Sequence, residues 1–360
     1  MNPRPPGRVC PGMTRRLLTL PILAAACSGG SAPAGPVGPP PPAYDFAAVD
    51  AAIQTTVDTT DFVTGAAILL VQRGHVIHER GFGDMTVDSE VKIASASKWL
   101  TAAVVLDLVA DGELSLDGPI GPHIESFRQG FWREELGEIT PRMLLSQTSG
   151  FKISHPCMFT AHKTLDQCAR DIASFALMVA PGQGFVYGEG QWTVAGATAE
   201  GATGRPWAEL FRRALGDPLA LERTFYQGGQ NPILGDGAIS TVREYTRFLE
   251  AIHSGGVYRG RRVLPASLVE EMLSDQVGSK PIVFSPRDPA LHYGLGVWRD
   301  RAGPAGEPLA VSGPGSLGFW PFIDFERELW GVVAIPPHLV WSGGTIGEVL
   351  RLVREAVPTS

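Results

Sequence analysis

The sequence predicts an α+β protein in which one antiparallel sheet, assembled from both ends of the chain, is flanked by helices and interrupted by a mostly helical insertion. Three observations predict it. Strand-like runs occur in residues 65–83 and return after residue 292. Between them, from Ser95 to about Gln276, apolar residues recur at helical spacing. Strands at both ends around a helical middle imply a sheet built from distant segments. Finally, 44% hydrophobic and 19% charged residues over 360 positions give a globular chain with ample core material.

The first forty residues stand apart. MTRRLLTLPILAAACSGG, beginning at Met13, has two arginines, a short apolar run and small residues before Cys27, the pattern of a secretory signal. The apolar run is too short to span a bilayer. The segment resembles a bacterial lipoprotein signal, in which the cysteine after the cleavage site is lipidated. Such signals carry Leu three positions before the cysteine, where this chain has Ala24, with Leu23 one further back; Ala24-Ala25-Ala26 also suits an ordinary signal peptidase. Residues 1–27 are therefore expected to direct export to the cell envelope or periplasm. Met13 is a second candidate start, and Cys27 is the candidate lipid anchor and the only expected membrane contact. Residues 28–45, SGGSAPAGPVGPPPPAYD, read as a Gly/Pro-rich tether without core material. One folded domain is expected over residues 46–360.

Within that domain FAAVDAAIQTTVD reads as a first helix, and GAAILLVQRGHVIHERGFG as two strands turning at Arg73-Gly74. Helical patterns follow in ASKWLTAAVVLDLVADG, TLDQCARDIASFALMV, QWTVAGATAEGATG, TVREYTRFLEAIHSGG and PASLVEEMLSD. HYGLGVWRD, EPLAVSG, LGFWPFIDF and RELWGVVAIP read as strands, and GGTIGEVLRLVREAV as a closing helix. Cys157 and Cys168 lie in HPCMFTAHKTLDQCARD; an oxidising compartment would let them pair, the alternative being two reduced surface thiols.

Ser-x-x-Lys occurs twice in SEVKIASASK, at Ser89–Lys92 and at Ser95–Lys98. A serine becomes a useful nucleophile when a neighbouring base takes its proton, so the two side chains must meet. Around Ser89 the chain reads as a turn entering an extended segment, where positions three apart face opposite sides. Ser95 instead falls at the start of a helix, and Lys98 lies one turn later on the same face. The helix start adds unpaired N–H groups and a positive dipole end. Without more, Ser95 could equally be a helix cap and Lys98 a solvated lysine.

The wider sequence decides between these readings. IASASKWLTAAVVLDLVADGELSLDGPI resembles the nucleophile helix of the serine β-lactamase and penicillin-recognising superfamily, closest to class C β-lactamases, DD-peptidases and family VIII esterases. ITPRMLLSQTSGF, APGQGFVYGEGQWTVAGATAEGATGRPW, STVREYTRFLEAI, RRVLPASLVEEML and YGLGVW follow in the order of that family. The resemblance implies a β-lactamase/DD-peptidase-like fold and a serine hydrolase working through an acyl-enzyme. It implies Ser95 as nucleophile and Lys98 as its base, with a pKa lowered by desolvation and positive neighbours. It also implies Tyr187 as the phenol that relays protons to the leaving group. Two departures stand out. Glu189 occupies the place of the Asn in the family's Tyr-x-Asn motif, and a carboxylate there cannot donate an amide hydrogen bond and disfavours anionic ligands. In VSGPGSLGFWPFID, if Gly315 is the closing glycine of the family's Lys-Thr-Gly or His-x-Gly, Gly313 stands where the Lys or His would be, and Ser312 offers a hydroxyl instead. Glu189, Ser312, Gly313 and Gly315 are thus the candidate substrate-binding positions.

Other chemistries are excluded or unsupported. A net charge of −7 without a Lys/Arg cluster in the body of the chain argues against nucleic acid. There is no Gly-x-Ser-x-Gly, no His-Glu-x-x-His or Cys-x-x-Cys, and no phosphate-binding loop, so no metal or cofactor is expected. His75, His78, His155 and His162 read as structural or surface residues, the first two on opposite faces of a strand. The expected partner is a small ester, amide or β-lactam, with ester hydrolysis favoured by Glu189 and Gly313, or else a peptidoglycan-related ligand. The alternative of another class is a catalytically silent envelope binding protein.

Overall fold

The computed structural model describes residues 40–128, 134–290, 292–336 and 344–359. The predicted signal, Cys27 and most of the tether lie outside the described residues.

The strand Gly65–Gln72 is buried at all eight positions, so helices must cover both faces of the sheet that contains it. That sheet has seven strands in the order His292–Tyr293, Trp298–Ala302, Pro308–Ser312, Phe319–Asp324, Leu329–Ala334, Gly65–Gln72 and His75–Gly83, with every pairing antiparallel. The N-terminal hairpin thus pairs with the C-terminal strands, Leu69 opposite Val332. Its turn is where expected: Arg73 and Gly74 both take positive φ, 52° and 82°, which suits the right-handed twist of a two-residue hairpin.

On one face Ile68, Leu70 and Val333 meet Val49 and Ile53 of the helix Ala47–Thr59 and Val349 and Val353 of the helix Gly344–Ala356. On the other, Leu69, Val332 and Ile323 pack with Trp99, Leu100 and Ala103 of the helix Ser97–Ala110 and with Phe248 of the helix Val242–His253. The inserted helical region, including Gly190–Thr203, continues from this second face.

Three expectations need correcting. The helix expected through Val179 stops at Ala173, because residues beyond it run against the backbone of Gly150: Met178 N–H donates to Gly150 C=O at 2.8 Å. The run HYGLGVWRD is two strands, since Gly294 and Gly296 turn the chain between them, Gly296 with φ 80°. His75 and His78 share a face, because a bulge in the hairpin puts His75 opposite Gln72 and His78 opposite Leu70. His78 Nε2 sits 2.8 Å from Asp50 Oδ1 and the ring stacks on Phe46, a structural role.

Candidate active site

Ser95 lies in a 3₁₀ turn, Ala94–Ala96, that runs directly into the helix Ser97–Ala110. Ala94 has φ +46°, a left-handed conformation that a residue with a Cβ holds only where its surroundings impose it. The surroundings do so here. Ser97 Oγ donates to Ala94 C=O at 2.6 Å and accepts from Ala238 N–H at 3.0 Å, while Tyr245 and Tyr226 hydroxyls donate to the carbonyls of Ala96 and Ser97. The strand side of the site presses equally close: a Cβ at Gly315 would come within 2.0 Å of Ile93 C=O, so only glycine fits.

One turn on, the Lys98 side chain is 1% exposed and its Nζ has three acceptors: Ser95 Oγ at 2.9 Å, Gly235 C=O at 2.8 Å and Glu189 Oε1. Tyr187 completes the group, its ring centre 4.9 Å from Lys98 Nζ and its phenol under the electrostatic influence of Lys98 and Ser95. The phenol is fixed from behind by Trp298, stacked at 5.3 Å, within a small aromatic cluster with Phe185 and Tyr293. Val186, Gly188 and Glu189 N–H groups donate to Gln147 C=O, Gln147 Oε1 and Ile153 C=O, and this anchors the tyrosine loop to the buried SQTSG segment.

The electrostatics differ from expectation. Burial pushes the Lys98 ammonium down, but the Glu189 carboxylate, Tyr187 and Asp236 push it up, and the net direction is above the ordinary lysine value. The neighbours are acidic, not the positive groups expected to lower it. Burial raises the Glu189 carboxyl above its usual range against the opposing pull of Lys98, and raises Asp236 likewise. Tyr187 is raised by burial despite Lys98.

Ser95, Lys98, Tyr187 and Glu189 therefore converge. Glu189 faces Lys98, not an open substrate surface. Ser312 is buried and its Oγ accepts from Arg287 Nη1 at 3.3 Å, so the stand-in hydroxyl is already engaged. A Cβ at Gly313 would lie 3.1 Å from Trp99 Cε3, so a side chain there would need the ring to shift slightly. Sequence reasoning missed Arg287, held between Trp298 and Trp320 and neutralised by Asp300 at 2.9 Å, and Gly235, whose carbonyl binds Lys98. The glycines flanking Asp236 were the available signal for the second.

Cys157 and Cys168 form a disulfide with Cα atoms 5.4 Å apart. His155, Cys157 and Asp171 have potential metal ligands within 4.8 Å of one another, but the Cys157 sulfur is committed to Cys168 and Asp171 pairs with Lys163.

Comparison with known proteins bears on the fold and the family. Residues 49–336 match the family model described as Beta-lactamase. The crystal structure of a candidate beta-lactamase from Bacteroides dorei DSM 17855 superposes with a TM-score of 0.78 at 30% identity, covering 87% of this chain and 99% of that one. Lovastatin esterase from Penicillium rubens is 24% identical over 396 residues, 86% of this chain and 97% of the esterase. Protein flp of Staphylococcus aureus strain MRSA252 is 27% identical over 180 residues, which are 47% of this chain and 36% of flp. The match thus spans about a third of the length of that relative.

Proposed function

The chain belongs to the beta-lactamase family of serine hydrolases, and from that premise we propose that it hydrolyses a neutral ester through an acyl-enzyme on Ser95. The observation that carries this reading is Lys98 Nζ at 2.9 Å from Ser95 Oγ, with the Tyr187 ring centre 4.9 Å from the same nitrogen. Such a triangle can take the serine proton during attack and return it to the leaving alcohol. In deacylation the same groups accept a proton from water.

The oxyanion needs two N–H donors. One is Ser95 N–H at the helix start. On the strand side Gly313 and Gly315 N–H groups already donate to Pro321 and Phe319 carbonyls and Pro314 has none, so the second donor of this proposal is a backbone N–H of the turn that follows Gly315.

An ester is favoured over a β-lactam or a D-alanyl-D-alanine peptide, both of which carry a carboxylate. The cation that stands beside Ser312, Arg287, is neutralised by Asp300, and the Lys98 ammonium is paired with Glu189, so neither is free to hold a substrate carboxylate. The relation to lovastatin esterase supports the same preference. Export and anchoring through Cys27 belong to this proposal too, with palmitate labelling of wild type against Cys27→Ala as their check.

The test is hydrolysis of p-nitrophenyl acetate beside nitrocefin and a D-alanyl-D-alanine peptide by residues 46–360, wild type and Ser95→Ala. Ester turnover lost in the variant supports the proposal. Turnover of the carboxylate-bearing substrates at higher kcat/KM than the ester overturns the substrate preference, and ester turnover equal in both proteins overturns the Ser95 reading.

A further inference from the structure

Lys98 donates to three acceptors at once, which uses every N–H of an ammonium and leaves no lone pair for the Ser95 proton. A base must therefore be generated before Ser95 can attack. The carboxylate in contact with Lys98 Nζ is Glu189. Its Oε1 takes the lysine N–H, whereas Oε2, buried, has no hydrogen-bond partner among the described residues. An ionised carboxylate with a buried oxygen that no described residue bonds gains by accepting a proton. The surrounding chain has made room for this group: a Cβ at Gly235 would lie 2.0 Å from Oε2, so the carboxylate occupies the space that any other residue at 235 would fill.

We propose that Glu189 is the resting proton acceptor of the Ser95–Lys98 pair, a positioning residue that acts through Lys98 and does not touch substrate. The inference rests on the Ser95 acyl-enzyme reading. In the acylation step Ser95 Oγ bonds to the acyl carbon as its proton passes to Lys98 Nζ, and one N–H of Lys98 passes to Glu189 Oε1. Lys98 remains an ammonium, Glu189 becomes neutral, and the negative charge moves from its carboxylate to the oxyanion. On collapse the proton returns through Lys98 and Tyr187 to the departing alkoxide. An amide at this position could hold Lys98 in place but could not take the proton.

The titratable and charged groups facing Glu189 are Lys98 from the nucleophile helix, Tyr187 from the tyrosine loop, Tyr293 from the strand His292–Tyr293 and Asp236 from the loop after Gly235. Both tyrosines are held neutral by burial, so the acid limb of activity belongs to the carboxylates around Lys98.

The experiment compares wild type, Glu189→Gln, Glu189→Asn and Ser95→Ala across pH 5 to 10. It reads kcat/KM for p-nitrophenyl acetate and, separately, the rate of Ser95 labelling by a fluorophosphonate, with a thermal melt of each protein. Labelling of wild type but not Ser95→Ala establishes the underlying reading by itself; its absence overturns both. For Glu189→Gln the expectation is a loss of roughly 100-fold at pH 7 that shrinks steadily toward pH 10, as Lys98 loses its own proton, with the acid limb moved to higher pH in both readouts. Glu189→Asn should behave in the same way. An unchanged pH profile, or an equal loss at every pH in a variant that still melts cooperatively, overturns the proposal.

Discussion

The tetrapeptide Ser-x-x-Lys appears twice within ten residues, and its two copies have opposite fates. Ser89 Oγ accepts Thr86 N–H at 3.0 Å in an exposed turn, and Lys92 projects to solvent from a two-residue strand. Six positions later Ser95 and Lys98 sit on one helical turn, with Lys98 fully enclosed and bonded to Ser95, Glu189 and Gly235. The composition of the motif is the same. What differs is the backbone that presents it and the partners that distant segments deliver, so chemistry follows from enclosure and not from the four letters.

The largest expected break in this comparison is at the serines. Ser95→Ala should lower ester kcat/KM by about 10³-fold or more, and Ser89→Ala by less than about twofold, measured in parallel. Next comes the phenol that only the second copy possesses: Tyr187→Phe should cost about 10²-fold in kcat with an intact melting profile. The lysines sharpen the contrast in stability. Lys98→Met leaves Glu189 buried without its cation and should destabilise the fold by about 3 kcal/mol at pH 8 in urea titrations, whereas Lys92→Met should be neutral. In Lys98→Met the folded-state carboxyl is raised above its unfolded value, so the folded form holds its proton more tightly. The loss is therefore fully expressed at high pH and fades as pH falls through that raised value. Reducing Cys157–Cys168 tests the support behind the second copy, since Cys157 lies on the loop whose Ile153 carbonyl holds Glu189 N–H. Dithiothreitol should cost about 2 kcal/mol of stability and a smaller share of activity, with the environment of Ser89 unaffected. The smallest effect lies at the far end of the nucleophile helix. Burial and Asp111 raise the Asp107 carboxyl to about 6, so ionising it costs stability as pH rises from its usual value through 6. Asp107→Asn should therefore gain about 1 kcal/mol at pH 8, after discounting for its partial exposure, and nothing below pH 4.

Local signals made much of the fold legible. Strand-like runs and the Arg73-Gly74 turn located the hairpin, and the cap at Thr241 marks the start of the helix Val242–His253 that the apolar spacing placed. Reading failed where a distant backbone intervened: Val179 against Gly150 ends a helical pattern early, and Met272 against Gly294 splits a strand. The site followed the same rule. Order of motifs was enough to propose Ser95, Lys98 and Tyr187, and the structure places them in contact. Glu189 was visible only as a departure, because its meaning depends on Gly235, which arrives from 46 positions later and whose Cβ, were there one, would lie 2.0 Å from Oε2. Arg287 was invisible for a similar reason: two tryptophans far apart in sequence hold it.

The first and last helices of the described chain share the face of the sheet that lies opposite Ser95. A label attached to the exposed side of Ala47–Thr59 or of Gly344–Ala356 would therefore sit on the face of the sheet away from Ser95.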